Sequence, residues 1–348
     1  DTIAALAEVE RKLGNWQHAA ELYAEALELS PGDRGLTRAL AALARDYGDI
    51  KRVDLTRQVV DGGDNQHIIT TTNRVTLFDR TVLEINSDRR SLEAPVLRRP
   101  GGTTEAFDSV RLRSEIGLVQ NFDGEAASIR PTLFLSSGSL GGGIRVEHRE
   151  GTSRTRIEAQ YHKPYWELIE GIADGGTRDR LELEHTRSLD TEERWSVTFG
   201  TAINRYGLDD DNDLAHSFNL LAGVSYAISL ERPYLSIGYQ ADGEYVLGRE
   251  TRTAASREKF APLPISTREV HAAVLFAGGA LTDYIDYLVF AGYNFDRYNF
   301  RGLQYGGELS YAPVDALEFG LRYSTSNTSG RGTDGTFTQY GIFAAGHF

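Results

Sequence analysis

The chain has no cysteine and no methionine among its 348 residues, and just nine prolines and three tryptophans. Without cysteine there is no disulfide, no thiolate metal site and no cysteine nucleophile. No long apolar run is present either. A membrane-spanning helix needs about 18 or more such residues, so the chain can cross a bilayer as a closed barrel but not as a helix. A basic surplus is also missing: the net charge of −13 argues against a nucleic-acid partner. The chain begins at Asp1 inside a helical pattern, so a fragment or processed form is expected, with any export signal lying upstream.

What is present is periodicity of two kinds. In residues 1–33, Ala4, Ala7, Ala19, Leu22, Tyr23, Ala26 and Leu27 recur at three- and four-residue steps, which predicts helices. Gly14-Asn15 divides them and Pro31-Gly32-Asp33 ends the second. Leu13-Gly14-Asn15-Trp16 is echoed by Tyr47-Gly48-Asp49-Ile50, with 34 residues between Gly14 and Gly48. That is the period of tetratricopeptide helix–turn–helix units. Gly14, Trp16, Ala19, Tyr23, Ala26 and Pro31 stand at that family's positions, so the first unit resembles a tetratricopeptide repeat. The second unit carries Val53, Arg57 and Val60 where small, aromatic and small residues belong, as a terminal repeat does. Residues 1–64 are therefore expected to be periplasmic helical repeats, the end of a longer array; a plain helical hairpin is the alternative.

From residue 65 the period becomes two. Ile285, Tyr287, Val289, Ala291, Tyr293 and Phe295 share one face against Asp286, Gly292, Asn294 and Asp296, with Leu288 and Phe290 as apolar exceptions. Trp195, Val197, Phe199 and Ile203 oppose Ser196, Thr198, Gly200 and Asn204; Leu317, Phe319, Leu321 and Tyr323 oppose Glu318, Gly320, Arg322 and Ser324. Many runs reach about nine residues, enough to cross the hydrocarbon when tilted. An apolar face with aromatic strand ends and a Gly-, Ser- and charge-rich face predict an outer-membrane β-barrel over 65–348, apolar side outward. Tyr165, Trp166, Trp195, Tyr206, Tyr284, Tyr293, Tyr298, Tyr305, Tyr311 and Tyr323 are candidates for its aromatic girdles. Helices on the side where the last strand ends require an even strand count; about sixteen antiparallel strands are expected. Phe348 ends an amphipathic last strand (Tyr340, Ile342, Ala344, Gly346) and resembles the signal read by the barrel-assembly machinery.

No zinc pattern, phosphate loop or Gly-x-Ser-x-Gly elbow is found, and the glycines from Gly138 to Gly143 are assigned to a strand-to-strand loop. No enzyme activity, cofactor or metal is expected. The run Asp209-Asp210-Asp211-Asn212-Asp213 reads as a solvated charge cluster in preference to a calcium loop, because no EF-hand Gly and Glu follow.

Charge on the polar face is the informative signal. Early strands carry Arg111, Arg113, Arg130, Arg145, Arg149, Arg156 and Arg180 among Glu115, Glu147, Glu158, Glu182 and Glu184, as a lumen-stiffening network would. Late strands carry Asp242, Glu244, Asp286, Asp296, Glu308 and Glu318, with Arg322 alone opposing. Those six acids are the candidate solute path, attracting a cation unless early arginines reach them. The long connection Gly248–Arg268, with Arg249, Arg252, Arg257 and Lys259, is either an inward plug or gate or an exposed loop.

A tetratricopeptide array leading into a barrel resembles the outer-membrane export porins of cellulose, poly-N-acetylglucosamine and Pel. Lys163-Pro164-Tyr165-Trp166-Glu167, Thr177-Arg178-Asp179-Arg180-Leu181 and Arg268-Glu269-Val270-His271 look most like the Pel porin. The resemblance implies a conduit for polysaccharide through outer-membrane lipid, with a periplasmic deacetylase or lipoprotein docked on the helices. A partially deacetylated, cationic polymer of the biofilm matrix agrees with an acidic lumen. A diffusion porin, and an adhesin or assembly barrel with a filled lumen, remain the alternative readings.

Overall fold

The computed structural model describes residues 2–12, 16–61, 64–78, 80–122, 126–209, 211–282, 284–299, 301–314, 316–328 and 334–348. The expected helix break at Gly14-Asn15 lies outside the described residues. So do Gly62, Gly63, Asp210, Asp283 and part of the expected loop Gly330–Gly335.

Three helices open the chain: α1 (Thr2–Lys12), α2 (Trp16–Leu29) and α3 (Arg34–Tyr47). Ala7, Ala19, Leu22, Tyr23 and Leu43 are buried between them, and Trp16 stacks on Tyr47 at 5.8 Å. Gly32 takes φ +95, which reverses the chain after α2. Asp33 then caps α3, its Oδ1 accepting from the amides of Gly35 (2.7 Å) and Leu36 (3.2 Å).

Sixteen antiparallel strands close into one barrel: β1 (Ile50–Val60), β2 (Asn65–Phe78), β3 (Thr81–Arg98), β4 (Thr104–Phe122), β5 (Ala127–Ser136), β6 (Ser139–Glu150), β7 (Ser153–Pro164), β8 (Gly176–Ser188), β9 (Trp195–Leu208), β10 (Asp211–Ser229), β11 (Tyr234–Arg249), β14 (Arg268–Thr282), β15 (Ile285–Asp296), β16 (Arg301–Val314), β17 (Leu317–Thr328) and β18 (Asp334–His347). A short helix, α4 (Ile169–Ala173), interrupts the β7–β8 connection, and a small hairpin, β12 (Arg252–Thr253) with β13 (Lys259–Phe260), lies in the β11–β14 connection. The expected sixteen-strand barrel behind a helical stub is what the chain forms.

The boundary is different. The helical repeats were expected to run to residue 64, yet they end at Tyr47, and Ile50–Val60 is the first barrel strand. The residues show why. Val53 and Leu55 face outward while Asp54, Thr56 and Gln58 are buried inside, a period of two that no helix satisfies. The echo of Gly14 at Gly48 is a helix stop, not the turn of a second repeat. β1 pairs with β2 on one side and with β18 on the other, from Ile50 opposite His347 to Val60 opposite Phe337. Gly141–Gly143 likewise lie within β6 and not in a loop, and Asp211–Ala215 lie within β10.

The outer surface is apolar on all sides. Leu55, Ile144, Leu183, Phe199, Ile237, Leu321 and Ile342 are each more than a third exposed. Such a continuous belt has no place on a soluble protein and matches the lipid face of a membrane barrel. Trp195, Tyr284, Tyr293, Tyr298, Tyr305, Tyr311 and Tyr323 are exposed, as girdle residues would be. Tyr165, Trp166 and Tyr206 are not: all three are buried, between 1% and 5% exposed, and pack inside the barrel.

The helices, the β2–β3 and β6–β7 turns and the last residue share one rim. Asp49 and Phe348 exchange backbone hydrogen bonds at 2.9 and 3.2 Å, and Arg74 donates to the Gly48 carbonyl at 2.7 Å. At the β1–β18 seam, Asp54 takes both Arg52 nitrogens at 3.0 Å and also Arg322 of β17. Asp54→Ala is expected to leave two guanidiniums facing each other and to cost about 1–3 kcal/mol. Urea unfolding of the detergent-refolded protein, followed by gel mobility, measures it; an unchanged midpoint would show that the seam does not rest on this carboxylate.

Candidate lumen site

Pairing register places the polar face of the strands in the bore. On β3–β9 it is a chain of ion pairs. Asp88 takes Arg90 (2.8 Å) and Arg113 (3.0 Å), Glu84 takes Arg130 (2.9 Å), Glu158 takes Arg145 (2.7 Å) and Glu115 takes Lys163 (3.1 Å). Glu182 is shared by Arg156 and Arg180, both at 2.6 Å. Most of these cations sit on the adjacent strand or two residues along the same strand, while Arg130 reaches over β4 to Glu84 and Lys163 over β5 and β6 to Glu115, so the network braces the wall.

The six late acids do not form one group. Asp242 and Glu244 lie on β11 beside Arg268 of β14, at 3.7 and 3.4 Å. Glu244 is buried and also accepts from Ser217 (2.6 Å) and Tyr206. The expectation that Arg322 alone opposes the late acids fails here. Arg268, the first residue of its strand, turns into the bore, a position that the loop assignment had hidden. Glu318 faces His347 at 3.4 Å, and Asp296 accepts from the Tyr298 amide at 2.8 Å. Asp286 and Glu308 make no ion pair within 4 Å among the described residues, although Glu308 stands opposite Arg322 in register. No cluster of metal-ligating side chains is found among the described residues; Asp211 pairs with Arg252 (2.6 Å) and Asp213 with His216.

Two connections fold into the mouth opposite the helices. The β7–β8 connection turns inward through Tyr165, Trp166 and α4. Arginines of β3–β4 hold it: Arg111 donates to the carbonyls of Ile172 and Ala173, Arg90 to that of Trp166 and Arg113 to that of Pro164. Trp166 packs on Leu92 and Ile172, with the Arg113 guanidinium 4.9 Å from its ring. Burial pushes the Asp174 carboxyl up, against the pull of Arg99 at 2.9 Å.

The longer connection, 250–267, crosses the mouth. It leaves β11 and reaches the β3–β4 rim, seven or eight strands away around the barrel. There Glu258 pairs with Arg98 at 2.9 Å, Phe260 lies under the same guanidinium, and Ala254 meets Gly102. Leu263 and Ile265 are buried against Tyr165, Tyr206 and Leu214. Of the four cations predicted for this loop, two fasten it: Arg249 donates to the Ile265 carbonyl (2.9 Å), and Arg252 binds Asp211 and Glu250. Arg257 and Lys259 are exposed at its tip. The residues missed from sequence, Trp166, Phe260, Leu263 and Ile265, read there as girdle or loop. Apolar residues in a polar connection were the available signal.

Beneath these loops the late wall is open. A cavity of about 580 Å³ is lined by Gln240, Asp242, Val274, Phe276, Phe290 and Gln304 among others, and an adjoining one of about 350 Å³ shares Gln240, Asp242 and Arg268 with it.

Comparison with known proteins agrees with this architecture. The tetratricopeptide repeat family matches residues 1–43. A solved bacterial polysaccharide outer membrane secretin superposes with a TM-score of 0.60, at 9% identity over 86% of this chain and 98% of that one. The outer-membrane channel DcaP of Acinetobacter baumannii is a looser likeness, with a TM-score of 0.43 and 14% identity over 86% and 96%. No curated protein matches by sequence. Fold and bore together define a sixteen-strand membrane-type β-barrel, similar in fold to the polysaccharide outer membrane secretin. Its particular architecture joins that barrel to a helical segment that the tetratricopeptide repeat family matches.

The Arg98 hydrogen bond holds the Glu258 carboxyl below the usual carboxylate range. The pair therefore favours the docked loop above that range and ceases to do so as pH falls through the lowered value. Glu258→Gln is expected to give, at neutral pH, the open-channel fraction that the unaltered protein reaches in acid. Planar-bilayer recordings at both pH values check this; a variant indistinguishable from the parent at neutral pH refutes it.

Proposed function

We propose that this protein is an outer-membrane conduit exporting a polysaccharide, with a cationic, partially deacetylated exopolysaccharide of the biofilm matrix as its cargo. The observation that carries the reading is a repeat segment fixed to one rim of a sixteen-strand barrel whose opposite mouth is spanned by its own loops. In this reading the helices stand in the periplasm and dock a deacetylase or lipoprotein, and the loops face the exterior. The likeness in fold to a polysaccharide secretin supports the same assignment. A diffusion porin has no use for the helices, and the cavities along the late wall favour a passage over a filled lumen.

The connection carrying Arg249, Arg252, Arg257 and Lys259 is the gate. Its first two cations hold it shut and its last two meet solvent. Phe348, exposed on the outer face, serves as the assembly signal. Export is tested by polymer recovered from the medium of a deletion strain carrying the full-length gene. Arg98 fastens the loop tip to the β3–β4 rim through Glu258 and the Phe260 ring. Arg98→Ala with Phe260→Ala is expected to raise the open-channel fraction in planar-bilayer recordings. An unchanged open fraction would sink the gate; polymer lacking dependence on the gene would sink the conduit.

Asp242, Glu244, Asp286, Asp296, Glu308 and Glu318 supply the attraction for cationic cargo. Asp286 and Glu308, without an ion pair within 4 Å among the described residues, contribute charge that no salt bridge neutralises. Asp286→Asn with Glu308→Gln is expected to lower cation-over-anion permeability several-fold, read from reversal potentials under a salt gradient. An unaltered ratio would count against an acidic path.

A further inference from the structure

Three phenylalanines of the lumen wall lie against a glycine of the neighbouring strand. Phe134 has ring atoms 3.2 Å from where a Cβ on Gly143 would stand, and Phe343 presses still closer on Gly320. Phe290 has Cε1 and Cζ 2.8 Å from the same point on Gly306. The missing side chain lets each ring settle on the wall and leaves its other face to the bore.

Two of these faces are capped from within the chain. The Lys163 ammonium is 5.0 Å from the Phe134 centroid, and the Arg52 guanidinium is 3.8 Å from that of Phe343. Both distances are those of cation–π contacts. Among the described residues no lysine or arginine caps Phe290. Its companion is Phe276, its partner in register on β14, with ring centroids 6.0 Å apart at 39°. Both rings line the cavity of about 580 Å³, whose polar rim includes Gln240, Asp242 and Gln304.

We infer that Phe290 and Phe276 form a subsite for an amine-bearing pyranose unit of the exported polymer. A pyranose has one apolar C–H face, which stacks on the paired rings. Its ammonium takes the place that Lys163 and Arg52 occupy over the other two phenylalanines. Gln240, Asp242 and Gln304 receive the amine and hydroxyl hydrogen bonds, and Gly306 lets the Phe290 ring lie flat on the wall. The inference rests on the polysaccharide reading and names the chemistry recognised there.

Calorimetric titration of the full chain in detergent micelles with a glucosamine hexamer tests it. Phe290→Ala is expected to weaken binding about tenfold, corresponding to about 1.4 kcal/mol, and Phe290→Trp to keep it within about twofold. Heat-dependent gel mobility confirms that both variants are folded. Equal Kd for the parent and Phe290→Ala, or no binding by the parent, overturns the subsite. Maltohexaose binding as tightly as the glucosamine hexamer overturns the role of the amine. Polymer release by the complemented strain is read separately, so the subsite can fail while the conduit stands.

Discussion

Every backbone N–H and C=O that enters hydrocarbon must be satisfied by the protein itself. In this chain one pairing meets that demand for the whole molecule: β1 joins β18 and so removes the two free edges that fifteen strands would leave. Without Ile50–Val60 the remaining strands form an open sheet with two unpaired rows of polar backbone. The side chains follow the same rule. With the backbone satisfied around the ring, apolar residues turn to lipid and polar ones are left to fill the bore.

A bore filled with polar side chains has no apolar core to hold it in shape. Ion pairs supply the bracing along β3–β8, most of them between adjacent strands where register puts opposite charges side by side, with Arg130 reaching over β4 to Glu84. The same arginines also act inward. Arg90, Arg111 and Arg113 donate to carbonyls of the β7–β8 connection, so one set of guanidiniums both stiffens the wall and clamps the inserted segment. Small apolar clusters then form at the mouth, where Leu263, Ile265 and Tyr206 exclude water. The cavity of about 580 Å³ lies along the late wall, and the adjoining one extends from Asp242 and Arg268 to Arg180, Glu182 and Glu184 of β8.

The helical segment is coupled to the seam by very little chain. Gly48 and Asp49 alone separate α3 from β1, and both are fixed to the rim by hydrogen bonds from Arg74, Thr76 and Phe348. A partner bound to the helices therefore acts close to the strand that closes the barrel and close to Phe348. This short connection also explains why the helix-to-strand boundary was misplaced: no Gly- or Ser-rich linker marks it, and Asp49-Ile50 continues a repeat echo while starting a strand.

Alternation at period two was enough to determine that the chain makes long strands, which face of most of them is greasy, and that the count is near sixteen. Each of these is local, fixed by the pleat and by the turn residues around it. The destination of residues that leave the sheet was not local. Tyr165, Trp166 and Tyr206 have girdle chemistry, and only the inward course of two connections makes them buried packing. Arg268 meets Asp242 and Glu244, and Arg98 meets Glu258 across the mouth, because closing a barrel brings together residues that are distant in the chain. Sequence fixes what each side chain can do; ring closure decides which ones meet.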